Sequence, residues 1–158
     1  MNPASAFFDL PRGLGEPLLR DAYAQVLVSF TSQVEAKPGR LETLRRIQAA
    51  GLSIDFLKFT PNGLSFVICE DQARRAVAQL EGIGAEVKLS EGRSILLIPA
   101  VNMRDDEGLL AHVLSEAIKT SAEILHIGDM HDRVLIVTDT EGAKEIRDKV
   151  DALRGRLA

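Results

Sequence analysis

The sequence predicts an α+β protein made of two β-α-β-β-α-β units, each an antiparallel sheet with its helices on one face. Three observations carry that prediction. The apolar period switches back and forth between two residues and three to four residues along the chain. Glycines, and the run Pro61-Asn62-Gly63, stand at the switches. The order of elements read in the first half then starts again in the second.

Taken in order, residues 25–31 (QVLVSFT) are rich in β-branched and apolar side chains and predict a strand. Residues 40–50 place Leu41, Leu44 and Ile47 on one helical face, with Arg45, Arg46 and Gln48 outside and Gly51 as the stop. Residues 54–60 predict a strand, 61–63 a turn, and 64–69 the returning strand. Asp71 is placed to cap a helix with Ala73, Ala76, Val77, Leu80 and Ile83 inward, Gly84 ends it, and 85–89 predict a short strand.

The second half repeats the order. Residues 94–101 predict a strand, and 108–121 a helix with Leu110, Val113, Leu114, Ala117 and Ile118 inward. Strands at 124–128 and 133–138 flank a polar turn, and a helix over 141–157 carries Ala143, Ile146, Val150, Leu153 and Leu157 on one face. Gly39 and Gly108 take equivalent places in this reading, an offset of 69 residues, and one geometric requirement accounts for both. Such repeats imply two ferredoxin-like units.

The second unit lacks a fourth strand, and an open edge is a liability. The segment EPLLR, 16–20, is available to fill it. The expected organisation is therefore a flexible N-terminal arm over 1–15, a first unit over 21–90, and a second unit made of 16–20 plus 91–158. Apolar residues occur on both faces of the strands, so the faces without helices must pack against something, another unit or a second copy.

The 158 residues suit one domain or two very small ones, and 46% apolar with 27% charged residues suits a packed core. A net charge of −4 without a basic stripe argues against nucleic acid and anionic membranes. Aromatic residues at 4% are too few for a base-stacking platform. No apolar run approaches the roughly 20 residues that span a bilayer. The first residues show no basic segment followed by an apolar one, so no secretory signal is expected. With Cys69 the one cysteine, no internal disulfide forms, and a reducing cytoplasm is the expected setting.

Two such units with Pro38-Gly39 at the first strand-helix junction resemble tandem ACT domains, the amino-acid-sensing modules of metabolic enzymes. The resemblance is to the regulatory region of aspartate kinase and covers about residues 16–155. It is carried by VSFTSQVEAKPGRLETLRRIQAAGLSIDFLKF (28–59), GLSFVI (63–68) and AVNMRDDEGLLAHVLSEAI (100–118). No part of the chain resembles the kinase catalytic domain. The resemblance implies an end-product amino acid, typically lysine or threonine, held largely by backbone at 33–39 and by polar positions that fall at Ser53 and Asp55. Asp55 matches the family's acidic residue. Ser53 stands for its usual Asn, and Phe59 for a frequent Gln. The resemblance also implies a homodimer through ACT units, and a metabolic enzyme as the regulated partner.

The residues themselves admit each site reading beside a plainer one. Pro costs nothing in a helix's first turn, and an uncapped helix start with Gly39 beside it suits a carboxylate; a turn needs the same pair. Asp55 either meets an ammonium or ends a strand in water, or pairs with Lys58 or Arg40. Glu35 and Lys37 line the junction or are simply solvated. Arg40 belongs to the charged face of its helix with Arg45 and Arg46, Glu42 pairing one of the latter two. In the second unit Glu107 stands where Pro38 stands in the first, and its charge repels a carboxylate.

Met103, Arg104, Asp105 and Asp106 form a loop opening that unit, with an Asp as cap. The types in HIGDMHD (126–132) suit a metal, but their hairpin spacing suits a polar turn better. Cys69 reads as strand filler. No phosphate loop, dinucleotide fingerprint or nucleophile elbow appears.

The expected function is a non-catalytic amino-acid-binding regulator without cofactor or metal, its ligand contacts at Glu35, Lys37, Pro38, Gly39, Arg40, Ser53 and Asp55. The alternatives are a ligand-free ACT scaffold for a partner enzyme and a small metalloenzyme on the HIGDMHD turn.

Overall fold

The computed structural model describes residues 13–101 and 108–157, the side chain of Leu157 excepted. The arm with Phe7-Phe8, the loop of Met103, Arg104, Asp105 and Asp106, Glu107, and the apolar role of Leu157 lie outside the described residues. The elements in chain order are β1 (Gly13–Leu14), β2 (Leu18–Phe30), α1 (Ala36–Ala49), β3 (Asp55–Thr60), β4 (Gly63–Cys69), α2 (Glu70–Gln79), β5 (Ala85–Val101), α3 (Leu109–Ile118), β6 (His126–Met130), β7 (Arg133–Asp139) and α4 (Thr140–Leu157). The fold is α+β, with antiparallel strand pairs.

The chain divides into two compact units, one over Ala22–Arg93 and one that runs to Asp21 and resumes at Ser94. In the first unit neighbouring strands follow the order β3-β4-β2-β5. Its core joins Val26, Val28, Leu64, Phe66 and Ile68 of the sheet to Ile47, Ala73, Ala76 and Leu80 of the helices. In the second unit the order is β5-β7-β6, and β1 pairs with the end of β5, Leu14 opposite Ala100. Its core joins Leu96, Ile98, Val134 and Ile136 to Val113, Ala117, Ile146, Val150 and Leu153.

Several element bounds differ from the sequence reading. The first strand starts at Leu18, and the strands expected at 85–89 and 94–101 are one strand, β5. Period-two burial is weak where β5 is polar (Ser90 to Ser94), which hides its continuity. Gly13 and Leu14, expected in the arm, form β1. Helix α1 starts at Ala36, four residues before the apolar period shows, because Lys37 and Pro38 occupy its exposed first turn.

The repeat runs at an offset of 70 residues. The bond from Phe30 N–H to the Asn62 carbonyl (2.8 Å) recurs from Ala100 N–H to the Asp132 carbonyl (2.8 Å). Buried Gly39, Thr43 and Ile47 of α1 correspond to Leu109, Val113 and Ala117 of α3. Strand β4 begins at Gly63 and β7 at Arg133, and α2 and α4 begin at Glu70 and Thr140. The offset read from matching glycines is therefore one residue short.

Candidate functional site

The strand-helix junction of the first unit follows the last residue of β2, Phe30. Val34 N–H bonds the Thr31 carbonyl (3.0 Å), closing a tight turn, and Glu35 then enters α1 in an extended conformation with no side chain capping the helix. Pro38 has no N–H, and Gly39 donates its own to the Glu35 carbonyl (3.0 Å). The amides left facing out of the helix start are those of Ala36 and Lys37. The first turn holds no acidic residue. Glu35, Lys37 and Pro38 are exposed at this end. It is an electropositive, uncapped helix start of the kind that receives carboxylates.

Gly39 has a different reason to be glycine. A Cβ there would lie 2.8 Å from the Phe30 ring, so the helix rests directly on that aromatic. Gly108, expected to share its requirement, is instead the left-handed residue (φ 75°) preceding α3, with open space around it. The two glycines meet separate demands, packing at one and backbone conformation at the other.

Arg40 lies on the first turns of α1 and is turned inward rather than into the solvent-facing charge run. Its Nε donates to the Gly63 carbonyl (2.9 Å), its Nη2 to the Thr60 carbonyl (2.5 Å), and its guanidinium lies 4.6 Å from the centre of the Phe59 ring. One side chain thus ties the helix start to both ends of the β3–β4 turn and covers one face of Phe59. The partners lie twenty or more residues away, so no local signal in the sequence marks them.

Ser53 and Asp55 are at the other end of the unit. Strand β3 pairs antiparallel with β4, Asp55 opposite Val67 and Thr60 opposite Gly63. From Asp55 to the Thr60 end, where Arg40 reaches from α1, is about 16 Å of strand. Both Ser53 and Asp55 are exposed, and among the described residues the Asp55 carboxylate has no hydrogen-bond or ion-pair partner, so it does not pair with Lys58 or Arg40. The structure therefore brings Glu35, Lys37, Pro38, Gly39 and Arg40 together and leaves Ser53 and Asp55 apart from them. One amino acid does not bridge the two groups within one unit.

Asp55 precedes a bulge: two residues of β4 separate its partner from that of Lys58, against three residues on β3, and Phe56 takes the left-handed conformation (φ 51°).

Elsewhere, no three His, Cys, Asp or Glu side chains gather as a metal site among the described residues. His126 and Asp129 lie on β6, and Asp132 forms a bidentate pair with its neighbour Arg133 (2.9 and 3.2 Å). Cys69 is exposed at the start of α2, not strand filler. No described helix is long and apolar enough to cross a membrane.

No protein-family model matches the chain, and no curated protein matches it. Solved structures do. The regulatory subunit of aspartate kinase from Thermus flavus is 19% identical with a TM-score of 0.76, over 89% of this chain and 98% of that one. The ligand-free regulatory subunit from Thermus thermophilus is 19% identical with a TM-score of 0.77, over 89% and 97%. A putative C-terminal regulatory domain of aspartate kinase from Porphyromonas gingivalis is 15% identical with a TM-score of 0.71, over 88% and 95%. The resemblance carried by the residues at 28–59, 63–68 and 100–118 is thus matched in three dimensions: the chain has the two-unit fold of aspartate-kinase regulatory subunits.

Proposed function

We propose that this chain is a non-catalytic regulator that binds an amino acid at the start of α1 and reports it to a partner enzyme of amino-acid metabolism, in the cytoplasm. The observation that carries the reading is the uncapped start of α1 at Pro38, which leaves the Ala36 and Lys37 amides outward in a unit with this fold. The ligand carboxylate sits on those amides. We place its ammonium at Asp55, which reaches this place only from a second copy of the chain. The site is then shared by two copies, and ligand binding favours the paired arrangement by differential affinity. Lysine and threonine are the first candidates. An aspartate-kinase-like catalytic chain is the natural partner, since the similar proteins from Thermus are subunits of that enzyme.

A second reading, a ligand-free scaffold, is favoured by one finding: Gly39 and Arg40 are both explained by packing, against Phe30 and against the β3–β4 turn. Thermal-shift measurements against each standard amino acid separate the two. A stabilisation that grows with concentration, and that Asp55→Ala and Lys37→Glu diminish, supports sensing. Melting temperatures that no amino acid moves establish the scaffold.

A further inference from the structure

We propose that Gly84 is a positioning residue for the start of α1: the turn at 82–84 seats the segment 31–35, and that seat sets where the Ala36 and Lys37 amides point. The inference rests on the reading that an amino acid binds those amides, and it names the residue outside the helix that prepares the place.

The chain leaves β2 pinned from both sides. Phe30 N–H donates to the Asn62 carbonyl (2.8 Å) and Thr31 N–H to the Gly84 carbonyl (3.0 Å). Successive amides of an extended chain point opposite ways, so the β3–β4 turn holds one side and the turn after α2 holds the other. In the segment that follows, Thr31, Ser32, Gln33 and Glu35 are exposed. Val34 is its one side chain packed against the core of the first unit.

Val34 rests on Gly84. A Cβ at Gly84 would lie 2.6 Å from Val34 Cγ2. Valine is stiff at χ1, so that methyl does not swing aside at low cost. Gly84 is also left-handed (φ 75°), which a Cβ would strain. One residue thus accepts a hydrogen bond from the start of the segment and makes room for its inward side chain. The Thr31 carbonyl accepts in turn from Val34 N–H (3.0 Å), which joins the two contacts in one turn. Glu35 follows directly, and no side chain caps the helix. The course of the chain into α1 is therefore set by what holds the segment from outside.

Two comparisons separate this seat from the ordinary needs of a turn. Gly82 has the same conformation (φ 77°), with nothing near the place of a Cβ. The second unit keeps the strand-to-turn bond, from Ala100 N–H to the Asp132 carbonyl, but seventy residues after Gly84 it has Arg154, inside α4. Among the described residues the seat belongs to the unit whose first helix carries Pro38, and not to the unit whose first helix begins at Leu109. The fold does not demand it, and the candidate site does.

The test compares Gly84→Ala with Gly82→Ala in the full chain. Both strain a left-handed backbone, and only the first meets Val34. Amide hydrogen exchange is read at Thr31 and Val34 against the amides of β4, which report global opening. Gly84→Ala is expected to speed exchange at Thr31 and Val34 by about tenfold beyond any change in β4, and Gly82→Ala to leave that ratio within about threefold of the parent. Adding Val34→Ala to Gly84→Ala removes the clashing methyl and is expected to recover most of the ratio. Equal loosening by both glycine variants, an effect that β4 shares in full, or no recovery overturns the seat. Lysine and threonine, each titrated in a thermal-shift assay, read the consequence for binding. Apparent affinity is expected to fall by about tenfold in Gly84→Ala and to survive in Gly82→Ala. A shift that Gly84→Ala keeps in full overturns the positioning role. A parent that no amino acid shifts ends the sensing reading and the binding role with it, while the exchange ratios still decide whether Gly84 seats the junction.

Discussion

The two units solve one packing problem in opposite ways. At the end of the first strand and the first turn of the first helix, the first unit has Phe30 against Gly39; the second unit, seventy residues on, has Ala100 and Leu109. In one the strand supplies the bulk and the helix makes room. In the other the helix supplies it and the strand makes room. Both units keep the strand-to-turn hydrogen bond at 2.8 Å, so backbone geometry is held while the filling changes sides. The repeat fixes the volume to be filled, and each unit assigns it to residues independently.

The largest effect should come from exchanging the two solutions. Phe30 is 6% exposed, and Phe30→Ala is expected to cost about 3–5 kcal/mol in chemical denaturation. Gly39→Ala drives a Cβ to 2.8 Å from the ring and is expected to cost about 1–3 kcal/mol. Combining Phe30→Ala with Gly39→Leu imports the second unit's pair. The double change should lose less than the separate losses summed, with a coupling of about 1–3 kcal/mol. Additive losses would mean that the two sites are not alternative fillings of one space.

The next contrast is at the start of the second helix of each unit. Cys69 precedes α2 without capping it. Its counterpart Asp139 caps α4 and anchors the loop before β6: it accepts from Gly142 N–H (3.0 Å), Glu123 N–H (2.9 Å) and the Thr138 hydroxyl (3.0 Å). Burial is the largest single influence and works against its charge, but the bonds from Glu123 N–H, Gly142 N–H, the Thr138 hydroxyl and its own backbone together outweigh it and lower its pKa below the ordinary 3.8. A carboxyl with a lowered folded pKa stabilises above its unfolded pKa, and that contribution fades as pH falls through about 4 and below. Asp139→Ala should cost about 1–2 kcal/mol at pH 7. Asp139→Asn keeps one acceptor and should lose part of that, while flattening the fall in stability between about pH 5 and pH 3. Cys69→Ala should change neither.

How much of this was legible in the sequence divides along the same line. The strand and helix order was readable because apolar periods in Leu64, Phe66 and Ile68, or in Ala143, Ile146 and Val150, report burial directly. The repeat was visible too, yet its phase was set by two glycines that are not equivalent. A glycine's letter is the same whether it spares a left-handed φ, as Gly108 does, or a ring, as Gly39 does. The candidate site was half readable. Pro38 marks an uncapped helix start from local rules. The distance between Asp55 and that start was not readable, because the direction of β3 places them at opposite ends. Arg40 looked like part of a solvated run with Arg45, and only its long-range carbonyl partners show otherwise.

A smaller contrast lies where each first helix ends. In the first unit Arg46 of α1 donates to the Glu81 carbonyl (2.7 Å) and the Gln79 carbonyl (3.3 Å) at the end of α2, and Arg75 of α2 donates to the Ala50 carbonyl at the end of α1. The helices cap each other's C-termini with cations, as the dipole favours. In the second unit the equivalents are Glu116 and Glu145, and Glu145 accepts instead from the Ser121 hydroxyl (2.7 Å) and N–H (3.3 Å). Because these groups are exposed, Arg46→Ala should cost about 1 kcal/mol, and Arg46→Glu more, since it opposes the α2 dipole. Glu116→Ala should be near neutral by the same denaturation assay.

The smallest expected effect concerns the long strands. Gly92 in β5 is left-handed (φ 67°), and its equivalent in β2 is Ala22 at φ 65°. The repeat demands the same backbone turn in both strands, but only one has the residue suited to it. An L-residue with a Cβ pays about 1–2 kcal/mol in that region, part of which a glycine returns through the greater freedom of its unfolded chain. Ala22→Gly should therefore stabilise the protein by a few tenths to about 1 kcal/mol, a gain that shows as a raised melting temperature. Gly92→Ala has open space around its Cβ, so any loss reports the conformation alone, and it should be of similar size and opposite sign. If Ala22→Gly destabilises while Gly92→Ala also does, the two turns are not equivalent, and the seventy-residue correspondence fails at this point in the strands.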